Sequence, residues 1–250
     1  MASTVGVIFS SLNEQNVPEL TKLRSIGSVP FGGRYRLVDF ALSSMVNSGI
    51  TTVGMLAKNN YQSLMDHLGS GKYWDLARKE GGLILLPPYN GETETLYKNR
   101  LEALKSATGF LKKAKEDFVV IADSDSVYKL DYSKVIDFHI KKNADITMVY
   151  HEHVTKKSHY YITFETNKTG RITELEINPV TDGVRKNYIN VMVARRSFIL
   201  GLVQNAIQYG YTSFGRDILS PSVKSLKLYG YKLDGYYQNI DSLVSYFAAN

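Results

Sequence analysis

Short apolar runs alternate with stretches of helical periodicity along the first part of the chain, and this alternation constrains the fold more than any other feature. The runs have the length and apolar content of buried strands, and they lie at 5–9, 52–56, 83–86, 118–121 and 146–150. Helical patterns separate them, at 37–45, 61–68, 96–113 and 132–142. Strands that alternate with helices are typical of a parallel sheet covered on both faces. We therefore predict an α/β fold with a doubly wound, mostly parallel mixed sheet.

The pattern changes in the last third of the chain. Residues 160–164 and 172–176 flank the turn at Lys168, Thr169 and Gly170, which predicts an antiparallel hairpin. Further strands are predicted at 188–194 and 226–233, with helices at 197–209 and from Asp241 onward. The sequence has no internal repeat, low-complexity stretch or evident linker, so we predict a single domain over residues 1–250.

Composition narrows the class of protein. Hydrophobic residues make up 44% and charged residues 22% of the 250, which is typical of a globular chain. The net charge of +6 is spread along the sequence without a dense basic block, so it suits a phosphorylated small molecule as well as nucleic acid, and we predict no nucleic-acid partner. The absence of cysteine excludes disulfides and thiolate metal sites. No run approaches the roughly 18 apolar residues of a membrane helix, and the N-terminus lacks the features of a signal peptide. We predict a cytoplasmic protein without membrane association.

One long segment carries a specific resemblance. Residues 29–44 read VPFGGRYRLVDFALSS and are followed by Asn47-Ser48-Gly49-Ile50. This stretch resembles the corresponding part of bacterial ADP-glucose pyrophosphorylases, and further matches follow in the same order at 91–99, 125–132, 213–218 and 235–250. The resemblance covers essentially the whole chain and implies a Rossmann-like nucleotidyltransferase domain. Active members of that family join ATP and glucose 1-phosphate with Mg²⁺ to form ADP-glucose for glycogen synthesis.

The resemblance also indicates which side chains should handle phosphate, and three cations are missing. The family's loop after the first strand is rich in glycine and carries an arginine, whose position here falls on Gln15 or Asn16. A lysine upstream of Val29 is replaced by Ile26, and the lysine that holds the sugar phosphate is replaced by Asn178. Neutral side chains cannot supply the charge that phosphate recognition uses.

The remaining site positions implied by the resemblance are also altered. Of the two aspartates that hold Mg²⁺, one is retained as Asp125, or as Asp123 in the alternative register, and the other is Asn239. Magnesium prefers anionic oxygen ligands, so Asp125 is at most a vestigial metal ligand. In the substrate loop Gly91 and Tyr97 match, whereas Glu94 belongs to a more acidic run at 92–94. The aspartate expected before Phe214 to contact the sugar is Ser213.

These departures fall on chemical positions while the packing positions match. We therefore predict a regulatory, non-catalytic subunit with no intact catalytic residue and no cofactor acting in catalysis, which assembles with a catalytic ADP-glucose pyrophosphorylase subunit into a hetero-oligomer. An active glucose-1-phosphate adenylyltransferase using ATP and Mg²⁺ is one alternative. A sensor that binds a nucleotide or sugar phosphate weakly, without converting it, is another. We expect the family's C-terminal left-handed β-helix domain to be absent through truncation.

Two histidines stand apart from these motifs. His151 and His153 are two residues apart at a predicted strand end, which would place them on one face of the strand. The sequence offers no evident third ligand, so it does not favour a metal site there. The other three histidines, His67, His139 and His159, show no metal-ligand spacing.

Overall fold

A nine-stranded mixed sheet forms the centre of the fold. The computed structural model describes residues 2–10, 12, 14–58, 60–87, 97–155, 161–180 and 182–250. Its strands, in chain order, are β1 (Thr4–Phe9), β2 (Pro30–Phe31), β3 (Tyr35–Arg36), β4 (Thr52–Leu56), β5 (Gly82–Leu86), β6 (Phe118–Asp123), β7 (Ser126–Tyr128), β8 (Ile146–Thr155), β9 (Ile162–Thr166), β10 (Ile172–Ile177), β11 (Gly183–Arg195), β12 (Leu228–Lys232) and β13 (Tyr237–Asn239).

The strand order explains how the two halves of the chain join. One part of the sheet has the order β5-β4-β1-β6, and all three of its pairings are parallel. The long strand β11 is antiparallel to β6 through its second half, to β9 at Asn187 and to β8 along most of its length. β12 lies parallel to β8, and β10 lies antiparallel to β9. Within the described sheet, β10 and β11 therefore run against the other seven strands.

Helices cover both faces of this sheet. They are α1 (Pro18–Thr21), α2 (Leu37–Asn47), α3 (Gln62–Leu68), α4 (Arg100–Lys113), α5 (Tyr132–Lys141), α6 (Arg196–Gln208) and α7 (Leu243–Ala249). Buried residues of α4 and α6 pack in one core cluster, and those of α2, α3 and α5 pack in a second cluster on the opposite face. The prediction of a doubly wound, mixed α/β sheet is confirmed. No helix in the described ranges is both long and apolar enough to cross a membrane.

The start of α2 shows how local sequence fixes an element that borders the site. The Asp39 carboxylate accepts a hydrogen bond from the Arg36 backbone N–H (3.0 Å), which satisfies a donor that the helix itself leaves free. The helix ends before Gly49, whose φ of +76° is a conformation that glycine adopts without steric cost. The predicted closure of this helix at Asn47, Ser48 and Gly49 is confirmed.

Several short elements were not predicted from the sequence. β2 pairs with β3, and β7 pairs with β13, in two separate two-stranded sheets. A single wide turn of π-helix spans Phe214–Leu219. β11 begins at Gly183 and β8 continues to Thr155, so both strands are longer than the apolar runs that predicted them. The closing helix begins at Leu243, two residues after the predicted start at Asp241.

His139 makes folding stability sensitive to pH. Its ring is almost fully buried, Nδ1 lies 2.9 Å from Thr147 Oγ1, and burial lowers its pKa from 6.5 to about 4. The unfolded chain therefore binds a proton between pH 6.5 and pH 4 that the folded chain does not, and stability falls as the pH is lowered through that window. We expect the free energy of unfolding of His139→Gln to decrease by about 2–3 kcal/mol less than that of the wild type over this pH range. Urea unfolding at pH 7 and pH 4.5 measures it, and equal pH dependence in both proteins would contradict the assignment.

Candidate active site

The candidate site lies at the carboxyl ends of β1 and β6, which are adjacent parallel strands. Phe9 and Asp123 are register partners at the ends of these strands. The loops that follow are joined, because the Ser124 N–H donates to the Phe9 carbonyl (3.0 Å) and the Gly27 N–H donates to the Ser10 carbonyl (3.3 Å). Ligands of open α/β sheets bind at the carboxyl ends of the strands. The fold therefore places the predicted nucleotide loop and the predicted metal segment at one sheet edge.

A cleft of about 250 Å³ opens beside these loops. It is lined by Leu12, Gln15, Lys98, Asn99, Arg100, Asp123, Ile162, Asn190, Thr212, Ser213, Phe214 and Gly215. The cleft thus brings together four of the residues singled out in the sequence, Gln15, Asp123, Ser213 and Phe214. Ser213 also caps the π-helical turn, because its hydroxyl accepts a hydrogen bond from the Arg216 N–H (3.2 Å) at the start of that turn.

An ion pair that the sequence did not predict forms part of the cleft wall. Arg100 Nη2 lies 2.5 Å from Asp123 Oδ2, and both side chains are largely buried. The guanidinium also stacks over the Phe9 ring, with 5.4 Å between Arg100 Cζ and the ring centroid. Burial raises the pKa of Asp123 to about 7, and the adjacent Arg100 limits that rise.

The ion pair corrects the expectation of a cleft without cations. Arg100 and the exposed Lys98 both line the cleft, at the N-terminal end of α4. Gln15, which stands at the family's arginine position in one register, lines the same cleft, and Arg100 and Lys98 add two cations there. The sequence did contain a signal for the position of Arg100, because Asn99 is a good N-cap residue. In the structure the Asn99 side chain accepts a hydrogen bond from the Glu102 N–H (3.0 Å), which fixes the start of the helix next to Arg100.

The predicted metal positions come together through a serine hydroxyl. Asp125 is buried, and Ser126 Oγ lies 3.1 Å from Asp125 Oδ1 and 3.1 Å from Asn239 Oδ1. The antiparallel pairing of β7 with β13 sets this geometry, and the Ile240 N–H donates to the Asp125 carbonyl (2.8 Å). The structure therefore places the retained aspartate and the altered second position within reach of one another.

These residues do not fit a catalytic Mg²⁺ ion. Among the described residues, the Asp125–Asn239 position contains the carboxylate of Asp125 and the amide of Asn239, and Asp123 Oδ2 pairs with Arg100. In the described ranges, no group of three or more histidine, aspartate and glutamate side chains could hold a metal ion. Magnesium prefers hard, anionic oxygen ligands, and the second of the family's two carboxylates is a neutral amide here, Asn239. We derive no catalytic step through magnesium at this site.

Three other positions that the sequence predicted for phosphate contacts do not line this cleft. Ile26 is buried in a small core cluster with Val17 and Ile240, so it packs and does not face a ligand. Asn16 is exposed in the turn after β1. Asn178 is exposed with a φ of +55°, and its N–H donates to the Tyr161 carbonyl (2.9 Å).

The substrate-loop positions are only partly described. Tyr97 is buried, and Lys58 Nζ lies 5.8 Å from its ring centroid. Gly91 and Glu94, with the rest of the acidic run at 92–94, lie outside the described residues.

Glu14 adds a carboxylate to the loop where the family carries its phosphate arginine. Burial raises its pKa to about 7, against smaller opposing effects of a backbone hydrogen bond at Ile26 and of Lys58. Among the described residues its Oε1 atom has no hydrogen-bond partner. A buried carboxylate with a raised pKa favours the neutral form and repels an approaching triphosphate once it ionises.

We expect Glu14→Gln to stabilise the fold at alkaline pH. Because the folded-state pKa is raised, ionisation of Glu14 costs stability as the pH rises above 4.5 through about 7, and the neutral amide avoids this cost. Glu14 is partly solvated, so the gain at pH 8.5 should be about 1 kcal/mol after solvent screening, with little difference at pH 4. Urea unfolding at the two pH values measures the gain. Glu19→Gln, at an exposed position of α1, serves as the control and should show no such gain.

Comparisons with known proteins identify the family of the chain. The sequence matches the nucleotidyl transferase family over residues 16–241. It is 33% identical to the glucose-1-phosphate adenylyltransferase of Thermotoga maritima over 255 aligned residues, which covers 100% of this chain and 60% of that protein. It is 33% identical to the corresponding protein of Clostridium acetobutylicum, with 92% of this chain and 62% of the relative covered. The chain thus spans about 60% of the length of these relatives.

A solved structure supports the fold. The structure described as a glucose-1-phosphate thymidylyltransferase from Bacillus anthracis, in complex with sucrose, superposes with a TM-score of 0.75. The match covers 99% of this chain and 94% of that one, at 14% sequence identity. At that identity it establishes the architecture alone. The matches along the sequence show that the chain belongs to the nucleotidyl transferase family, among the relatives of glucose-1-phosphate adenylyltransferases.

Proposed function

We propose that this chain is a regulatory, non-catalytic subunit of glucose-1-phosphate adenylyltransferase and assembles with a catalytic homologue in ADP-glucose synthesis for glycogen. The observation that carries the proposal is the Asp125, Ser126 and Asn239 arrangement. The Asn239 amide stands where the family has its second carboxylate, and Ser126 Oγ lies 3.1 Å from the Asp125 and from the Asn239 side-chain oxygen. Nucleotidyl transfer depends on positioning and charge stabilisation around the reacting phosphates, so a site that holds its metal poorly loses most of its rate.

The phosphate contacts support the same proposal. Ile26 packs into the core, and the carboxylate of Glu14 lies in the loop that should approach the triphosphate. A charged phosphate would meet an ionisable acid where the family provides an arginine. The core positions nevertheless remain well packed, which supports a fold retained for assembly or for ligand binding.

The test is assembly with a catalytic glucose-1-phosphate adenylyltransferase subunit. We expect the two chains to co-purify after co-expression, and the mixed oligomer to differ from the catalytic subunit alone in KM or in its response to effectors. A mixed oligomer that carries Asp125→Asn in this chain should keep its turnover. Failure to associate, or unchanged kinetics on association, would defeat the regulatory proposal.

A second candidate is a sensor that binds a nucleotide or sugar phosphate without converting it. Arg100 and Lys98 in the cleft favour it, because they supply two cations near the predicted ligand position. Calorimetric titration with ATP and with glucose 1-phosphate, followed by product analysis, separates the candidates. Binding without product supports the sensor, and turnover in the isolated chain supports the remaining alternative, an active Mg²⁺-dependent enzyme.

A further inference from the structure

Two histidines lie side by side outside the candidate active site. His151 and His153 are two residues apart on β8, so their side chains leave the same face of the strand. Their Nδ1 atoms are 3.3 Å apart, and their ring centroids are 5.5 Å apart with an interplanar angle of 31°. At this distance the two Nδ1 atoms share a hydrogen bond, in which one ring donates and the other accepts.

The distance between the two Nδ1 atoms matches the distance between two nitrogen ligands of one metal ion. Zinc binds imidazole nitrogen at about 2.0–2.1 Å, and two nitrogens in a tetrahedral shell are then separated by about 3.3 Å. The two Nδ1 atoms already have this separation, so one ion can replace the proton between them without a change in the distance that joins them. Imidazole is a ligand that suits zinc, copper and nickel, whereas magnesium requires oxygen ligands.

The surroundings hold both rings in place. The Tyr237 ring packs across the pair, with its centroid 5.4 Å from that of His151 and 5.6 Å from that of His153. Tyr161 contacts His153 edge-on, with 6.0 Å between the centroids. Rings fixed by packing lose little conformational entropy when they bind an ion.

His153 borders an open space from which water or cleft oxygen atoms can complete the coordination. His153, Gln238 and Asp241 line a cleft of about 470 Å³. Burial and the neighbouring His151 lower the pKa of His153, which favours the neutral, metal-binding form of its ring near pH 7, while the nearby Asp241 opposes that shift. The negative charge of Asp241 also attracts a cation.

We propose that the Nδ1 atoms of His151 and His153 chelate one divalent transition-metal ion of the zinc, nickel or copper class beside this cleft. Two protein ligands leave the remaining coordination positions to water and to oxygen atoms of the cleft. The two proposed ligands are distinct from Asp125 and Asn239, although Asn239 also lines the cleft. The proposal stands whether or not the chain proves regulatory.

Titration of ZnCl₂ and NiCl₂ into the metal-free protein, followed by calorimetry at pH 7.5, tests the proposal. We expect saturable binding of one ion per chain, with at least tenfold weaker binding in His151→Ala and in His153→Ala. In spectra of ¹⁵N-histidine-labelled protein, the Nδ1 resonances of both residues should shift on zinc addition. Glu152→Gln is the matched control, because Glu152 lies between the two histidines, faces the other side of the strand and pairs with Lys232 (2.6 Å).

Three results would overturn the proposal. They are the absence of saturable zinc or nickel binding up to millimolar concentration, undiminished binding in the His151→Ala/His153→Ala double variant, and zinc-induced shifts confined to Nε2. Thermal melts of each variant, together with His153→Gln, separate loss of the ligand from loss of the fold. A variant that melts like the wild type and still binds zinc equally well contradicts the assignment.

Discussion

Replacing Arg100 with methionine should lower the free energy of unfolding by about 3–5 kcal/mol, which is the range for breaking a buried ion pair by removal of one partner. The reason is the buried carboxylate of Asp123, which lies 2.5 Å from the guanidinium and has an exposed side-chain fraction of only 3%. Once the cation is removed, this carboxylate stays in the low-dielectric interior or takes up a proton. Urea unfolding at pH 7.5 measures the change.

A double variant distinguishes the ion pair from simple packing. Arg100→Met combined with Asp123→Asn removes both charges, and we expect it to recover most of the stability lost in the single variant, because no uncompensated charge remains. Arg185→Met provides the comparison, since the Arg185–Glu176 pair is more exposed and should cost less than about 1 kcal/mol. Additive losses in the double variant would show that the two side chains do not interact.

Restoring a carboxylate opposite Asp125 should restore magnesium binding. Asn239→Asp places a second anionic oxygen near Ser126 Oγ, which lies 3.1 Å from the present Asn239 oxygen. We expect Mg²⁺ to bind more tightly by about 10–100-fold, the range over which changes around a metal site alter affinity. In the presence of EDTA, repulsion between the two carboxylates should cost about 1–3 kcal/mol of stability.

Melting curves with EDTA and with Mg²⁺ test this prediction. Asn239→Asp should melt below the wild type in EDTA and regain stability in Mg²⁺, whereas the wild type should respond little. Gln238→Glu is the control, because it adds one negative charge at the neighbouring residue of β13. Equal magnesium responses in the two variants would mean that added charge alone, without the geometry at Asp125, accounts for the effect.

The sheet was largely predictable because periodicity and strand length carry its signal. β1, β4 and β6 are continuous apolar runs, as expected for strands buried on both faces, and each lies within a few residues of its predicted bounds. The β7–β13 pairing was not predictable in this way. It joins residues more than 100 positions apart through strands of three residues each. The local sequence of such short strands does not indicate which strand each one pairs with.

The candidate site also contains both residues that the sequence predicted and residues that it did not. The resemblance indicated the positions of Asp125 and Asn239, and the fold places both beside Ser126. The Arg100–Asp123 pair could not be predicted, because its members are 23 residues apart on a helix and a strand and meet only after α4 packs on the sheet. A comparison of motifs shows that a family cation has been replaced at its own position. It does not show that a cation such as Arg100 enters the cleft from another position, because that depends on how the helix packs on the sheet.

Pyrophosphate release from the purified chain is the most direct test of the proposal that this site does not support nucleotidyl transfer. The assay contains ATP, glucose 1-phosphate and Mg²⁺, with a catalytic glucose-1-phosphate adenylyltransferase as the positive control. We predict a rate at least a thousandfold below that control, on the order of the loss when a single charge-stabilising group is removed from an active site. Turnover within tenfold of the control, abolished by Asp125→Asn, would contradict the account.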